Sequence, residues 1–201
     1  MIRILLADDQ ALVRGALAAL LDLEPDIEVV AQVGRGDQVV AAALESRPDV
    51  ALLDIEMPGL SGIETTAELR SALPDCRSLI VTTFGRPGYL RRALDAGAQG
   101  FVVKDTPASE LADAVRRVHA GLRVVDPELA VESLTHGANP LTEREQEVLR
   151  AAQDGAPAST LAKRLSLSQG TVRNHLSSAI RKTGCTTSAE AVRQAEANGW
   201  L

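Results

Sequence analysis

The chain has 201 residues, 45% of them apolar and 24% charged, with a net charge of −6 and only 2% aromatics. That balance excludes a disordered or collagen-like chain, and no uninterrupted apolar run approaches the ~18 residues of a membrane span. Cys76 and Cys185 stand far apart without a CxxC or Cys/His cluster, and Asp8-Asp9 follows the first apolar run where a signal peptide would continue; disulfides, a zinc site, membrane insertion and export are therefore not expected, and a cytoplasmic protein is.

Short aliphatic runs at 2–7, 28–33, 50–53, 79–83 and 100–103 alternate with amphipathic stretches at 10–23, 37–46, 62–72, 88–96 and 109–120. Near-continuous aliphatic runs are the pattern of parallel strands buried on both faces. Five strand–helix repeats predict an α/β, doubly wound domain over residues 1–121. Gly97, Gly100 and Gly121 are placed to cap helix ends. Residues 122–139 are polar and broken by Gly137, and read as a linker with a helical turn or two around 127–134. Beyond it the aliphatic runs stop. Helical patterns follow at 142–154, 159–165, 169–182 and 188–198, with a T-x-x-E capping box at Thr142 and Glu145 and turn signals at 155–157 and 166–168. Residues 140–201 are thus predicted to form a small all-α domain.

Asp8 and Asp9 follow the first strand and Asp54 the third. Open parallel sheets bind ligands beyond the carboxyl ends of their strands, at the point where strand order reverses. With the order 2-1-3-4-5, strands one and three are neighbours there, and the three carboxylates converge. Like charges so close need a neutralising cation, and an all-oxygen site suits Mg²⁺. Two further strand ends supply Thr82 and Lys104, a hydroxyl and an ammonium suited to holding phosphoryl oxygens. Any one Asp after a strand is by itself an ordinary turn residue; the set is what points to a site.

Asp8-Asp9, Asp54 with Met57-Pro58-Gly59 and Gly62, Thr82 and Lys104 resemble the receiver domain of two-component response regulators over about residues 1–120. The resemblance implies a flavodoxin-like (βα)5 fold and phosphoryl transfer from a sensor histidine kinase to Asp54. It implies Mg²⁺ held at Asp8, Asp9, Asp54 and the Glu56 backbone carbonyl, with Asp9, Asp54 and that carbonyl as direct ligands. Thr82 becomes the switch hydroxyl, Phe101 the switch aromatic and Lys104 the phosphate-pairing cation. Phe101 has no hydroxyl, so switching there is a change of packing. Asp105 stands where many relatives carry proline, which argues against a cis peptide at that joint. The acyl phosphate would hydrolyse in the same pocket, making the chain a phosphoacceptor rather than a turnover enzyme. An aspartyl-phosphate phosphatase is the enzyme alternative, disfavoured by Asp8-Asp9-Gln10 in place of D-x-D. The segment 82–89, TTFGRPGY, is similar to regulators paired with membrane-fluidity or thermosensing kinases.

In 169–182, Val172, Leu176, Ala179 and Ile180 share one helical stripe, and Arg173, Asn174, Ser177, Ser178 and Arg181 lie on the other side. No acid occurs between Asp154 and Glu190, whereas Lys163, Arg164, Arg173, Arg181 and Lys182 all do. A short helix and tight turn before this segment give helix–turn–helix geometry; a helix bundle that binds protein is the alternative. Leu141-Thr142-Glu143-Arg144-Glu145, Val148-Leu149, Leu161-Ala162, Leu165, Thr171-Val172-Arg173-Asn174-His175 and Ala189-Glu190-Ala191 resemble the NarL/FixJ (LuxR-type) helix–turn–helix DNA-binding domain over about 138–201. That resemblance implies base-edge readers at Arg173, Asn174 and Ser177, and phosphate contacts at Lys163, Thr171, Arg181 and Lys182. The implied partners are double-stranded promoter DNA and a second copy of the chain, the homodimer forming on activation. The last helix, with Ala191, Val192 and Ala195, is similar to the family's dimerising helix and equally able to close the small core. The first and last receiver helices are the expected pairing face. Charge divides accordingly, −5 over 1–123, −3 over 124–139 and +2 over 140–201, so average acidity does not exclude DNA.

Overall fold

The computed structural model describes residues 1–83, 87–127, 129–131 and 139–201, which fall into two compact units. The first contains β1 (Ile2–Ala7), α1 (Ala11–Leu21), β2 (Ile27–Val33), a 3-10 turn at Gly36–Gln38, α2 (Val39–Ser46), β3 (Val50–Leu53), α3 (Gly62–Ala72), β4 (Arg77–Thr82), α4 (Pro87–Ala96, in this unit from Leu90 onward), β5 (Gly100–Val103), α5 (Ala108–His119) and β6 (Val124–Val125). All strands are parallel, in the order β2-β1-β3-β4-β5-β6. Every residue of β3 is buried, as are Ile4 to Ala7 of β1. The expected doubly wound, flavodoxin-like sheet is therefore present, with strands one and three adjacent and in register from Ile4↔Val50 to Ala7↔Leu53.

β6 is the departure from expectation. It lies within the residues read as linker, pairing Val124 with Gly100 and Val125 with Phe101, and the unit that carries the sheet continues to Ala130. Two residues are too few for a period-two pattern to register in a sequence; what recruits them is the apolar edge of the core, where Val124 is buried beside Val118 and Val102. Of the expected helical turn around 127–134, residues 127 and 129–131 are helical, and the others lie outside the described residues. Gly97 (φ +108°) does end α4 in the left-handed region. Gly100 caps nothing. It opens β5, where a Cβ would come within 2.4 Å of the Leu79 side chain. No cis peptide bond occurs among the described residues, the Lys104–Asp105 joint included.

The second unit contains α6 (Glu143–Ala151), α7 (Ala158–Arg164), α8 (Gln169–Thr183) and α9 (Ser188–Ala197). The Thr142–Glu145 capping box forms in full, and Thr187 with Glu190 makes another at α9. Successive residues of α6 serve two small cores. Val148 packs with Leu161, Ala162 and Val172, and Leu149 with Leu141, Ala179, Ala191, Val192 and Ala195. Leu149 is wholly buried, so its truncation to Ala costs about 2–5 kcal/mol, a large share of what so small a unit can have. Ala191, Val192 and Ala195 thus close the core of their own chain.

Candidate functional site

Asp8 leaves the sheet immediately after β1, Asp54 after β3 and Lys104 after β5, so topology alone gathers them at one end. The Asp54 N–H donates to the Ala7 carbonyl (2.9 Å), which binds the end of β3 to the end of β1, and the Lys104 N–H donates to the Thr82 carbonyl (2.8 Å). Asp8 and Asp54 are 3% and 5% exposed, and Asp9 is exposed. Asp8 Oδ1 accepts from the Gln10 N–H at 2.9 Å, and Asp54 Oδ1 from the Ile55 N–H at 2.8 Å. The other oxygen of each carboxylate, Oδ2, lies 2.8 Å from Lys104 Nζ. One oxygen from each of Asp8, Asp9 and Asp54 falls within 4.8 Å of the others. Beside them is a cavity of about 80 Å³ lined by Asp9, Gln10, Asp54, Glu56, Thr82 and Thr83.

The backbone beneath this pocket tolerates little variation. A Cβ at Gly62 would lie 2.1 Å from the Asp54 carbonyl oxygen, so only glycine lets α3 begin so close to Asp54. Ser61 caps that helix, accepting from the Glu64 N–H while Glu64 Oε2 accepts from the Ser61 N–H.

Burial raises the Asp54 pKa, and the hydrogen bond and charge of Lys104 oppose that rise. For Lys104, burial works against the ammonium, but its hydrogen bonds to Asp54 and Asp8 outweigh it and lift the pKa. Three carboxylates against one ammonium leave an excess of two negative charges. An all-oxygen donor set with that excess fits a divalent hard cation. Asp8, Asp9, Asp54, Thr82 and Lys104 thus come together as the sequence predicts, and Glu56 lines the cavity. Phe101 does not line it; the ring is fully buried on β5, opposite Ile80 of β4. Gln10 and Thr83 are wall residues that sequence reasoning missed, although each directly follows a predicted site residue.

The second constellation is on α8. Val172 and Ala179 are fully buried on its inner side, and Arg173, Asn174, Ser177 and Arg181 are exposed on its outer side. Thr171 is half-buried and engaged at the helix start, its N–H donating to Ser168 Oγ at 3.0 Å and its hydroxyl 2.8 Å from the same oxygen. Two of the five cations are already paired: Arg164 with Asp154 and Lys182 with Glu145, each at 2.7 Å. Among the described residues no ion pair involves Lys163, Arg173 or Arg181. Glu145 is 4% exposed. Burial opposes its charge, yet hydrogen bonds from Lys182, from the Thr142 N–H and from Ser178 outweigh burial and hold its pKa at about 2.

Comparison with known proteins decides what these two constellations belong to. The family profile described as "Response regulator receiver domain" matches residues 4–116, and that described as "Bacterial regulatory proteins, luxR family" matches residues 139–195. The chain is a LuxR-family response regulator. It is 44% identical to the transcriptional regulatory protein DesR of Bacillus subtilis over 201 residues, covering 100% of both chains. It is 35% identical to the DNA-binding transcriptional activator DevR/DosR of Mycobacterium tuberculosis over 193 residues, covering 92% of this chain and 89% of that one. The crystal structure of the response regulator ChrA, of a heme-sensing two-component system, matches with a TM-score of 0.59 at 33% identity, covering 100% of this chain and 98% of that one. This response regulator is accordingly a transcription regulator of the two-component type, with a LuxR-type DNA-binding domain after the receiver. No helix among its described residues is long and apolar enough to cross a membrane.

Proposed function

We propose that a sensor histidine kinase phosphorylates Asp54 in a Mg²⁺-dependent step, and that the phosphorylated chain dimerises and binds promoter DNA in the cytoplasm. The observation that carries this reading is the Lys104 ammonium, 2.8 Å from both Asp8 and Asp54 at the mouth of one sheet. A carboxylate oxygen of Asp54 attacks the phosphorus of a phosphohistidine, the P–N bond breaks, and its electron pair and a proton remain with the imidazole. Asp8, Asp9, Asp54 and the Glu56 carbonyl would hold Mg²⁺, whose charge offsets that of the phosphoryl group. Lys104 exchanges the Asp54 oxygen for a phosphoryl oxygen, and the Thr82 hydroxyl, on the cavity wall, donates to another. Movement of Thr82 shifts the end of β4, whose Ile80 lies opposite Phe101 in the sheet, so phosphorylation is read as repacking around that ring. Hydrolysis of the acyl phosphate in the same pocket ends the signal, which makes the receiver a self-limited phosphoacceptor and not a turnover enzyme.

On α8, Arg173, Asn174 and Ser177 read base edges from the exposed side, and Lys163, Thr171, Arg181 and Lys182 contact phosphates. Arg181 and Lys163, in no ion pair among the described residues, bring their full charge to that task, and Lys182 shares its charge with Glu145. The exposed apolar side of α1 supports that helix as part of the pairing face: Leu12 is 86% exposed and Leu23, just beyond the helix, 77%, with Ala16 and Ala19 exposed between them. Labelling with radioactive acetyl phosphate tests the core of the proposal. Wild type incorporates phosphate only with Mg²⁺, and Asp54→Ala incorporates none. Equal labelling of the variant overturns the assignment.

A further inference from the structure

The amino ends of β4 and β5, at the opposite end of those strands from Thr82 and Lys104, border a second cavity of about 250 Å³. Arg70 of α3, Cys76 and Ser78 beside and on β4, Gln99 before β5 and Arg123 before β6 form its polar wall. Among the described residues no acidic one lines it, in a chain whose net charge is −6. Among the described residues neither Arg70 nor Arg123 makes an ion pair. The Arg70 side chain passes close over Gly97, where a Cβ would come within 2.8 Å of its Cδ. Burial pushes the Cys76 thiol up to about 12, so it stays neutral and offers no competing negative charge. The Gln99 side-chain oxygen is buried and accepts no hydrogen bond, although the Gln99 N–H donates to Ser78 and its carbonyl accepts from Val124. A buried acceptor left unsatisfied is costly, and a group that completes it is correspondingly favoured.

We propose that this cavity binds a small multivalent oxyanion that carries its own hydrogen-bond donor, a hydroxyl-bearing phosphomonoester or hydroxycarboxylate. Guanidinium forks match the paired oxygens of phosphate and carboxylate groups, so Arg70 and Arg123 hold the charge. The ligand's hydroxyl donates to Gln99 Oε1. The cavity is at the small end of ligand pockets, which suits a metabolite of about three to six carbons and excludes a nucleotide. None of its lining residues belongs to the phosphoacceptor pocket.

Calorimetric titration of the full chain in EDTA, which removes the carboxylate pocket as a metal-dependent competitor, tests this with glycerol 3-phosphate, citrate and sulfate. One saturable site per chain is expected for glycerol 3-phosphate or citrate, about tenfold tighter than for sulfate, which has charge but no donor. The stronger of the two organic probes identifies the phosphate or the carboxylate source. An Arg70→Ala/Arg123→Ala double variant loses binding of every probe. Gln99→Leu keeps sulfate binding but reduces the organic probes to sulfate's level. Labelling of Asp54 by acetyl phosphate in Mg²⁺ reports that each variant is folded. Absence of saturable binding at millimolar concentration overturns the proposal. So does unchanged affinity in the double variant, or unchanged discrimination in Gln99→Leu.

Discussion

In the receiver pocket, charge is buried and already engaged. Lys104 lies between Asp8 and Asp54, two carboxylates with almost no exposure, and each of their outer oxygens is already committed to it. Along α8 the charge is exposed, and for Arg173 and Arg181 it is uncommitted among the described residues. The contrast follows from what each region meets. On the proposed function Asp54 is the group to be modified, and such a group must be held in one geometry in poor solvent, so its neighbours satisfy it beforehand. A surface that meets a polyanion gains by keeping its cations free, because their binding energy comes from displaced counterions. Lys182 stands between the two regimes. It is on α8 and partly exposed, yet it is paired to a buried Glu145.

The largest effect should come from breaking the buried side. Lys104→Ala leaves two buried carboxylates facing each other without a cation, which costs about 3–5 kcal/mol of stability by the usual penalty for halving a buried ion pair. Phosphorylation by acetyl phosphate should fall on the order of 10²-fold beyond any loss of folded protein. Melting curves and labelling, measured together, separate the two.

Glu145→Gln is next. The folded pKa of Glu145, about 2, lies below its ordinary value of 4.5; its contribution is therefore complete above pH 4.5 and lost as pH falls from 4.5 toward 2. The variant should lose up to about 3 kcal/mol at neutral pH, and the difference from wild type should close across that window. Denaturant titrations at several pH values measure it. A constant difference would show that Lys182 and Glu145 contribute nothing as an ion pair.

That pair also marks where sequence reasoning stops. Asp8, Asp9, Asp54, Thr82 and Lys104 were readable because each ends or follows an aliphatic run, and parallel topology sends every such position to the same end of the sheet. Thr142–Glu145 was readable as a capping box because both partners lie within one turn. The second role of Glu145 was not, because Lys182 is 37 residues away and meets it only once α6 and α8 pack. Gly100 shows another limit. A glycine after a helical stretch fits a cap and a tight strand contact equally well, and the Leu79 side chain decides the matter. β6 escaped because its two valines gain their place from the edge of β5. Likewise, no local pattern joins Arg70, Gln99 and Arg123.

Smaller effects sharpen the exposed side of the comparison. Arg173→Ala should cost about 1–3 kcal/mol on a specific site and relax base preference at one position, measured by competition against single-base variants. Arg181→Ala should weaken all sequences alike and reduce the slope of log affinity against log salt by about one. Lys182→Ala should change that slope less, because Glu145 already offsets its charge.

The central claim is that Asp54 controls the DNA-binding domain through its phosphorylation. Its most direct test is quantitative footprinting on a fragment selected from genomic DNA, with wild type and Asp54→Ala, before and after acetyl phosphate and Mg²⁺. The account predicts that wild-type affinity rises about tenfold or more on treatment, with the footprint extending over two half-sites, and that the variant does not respond. An equal rise in the variant, or no rise in a wild type shown to carry the label, would contradict it.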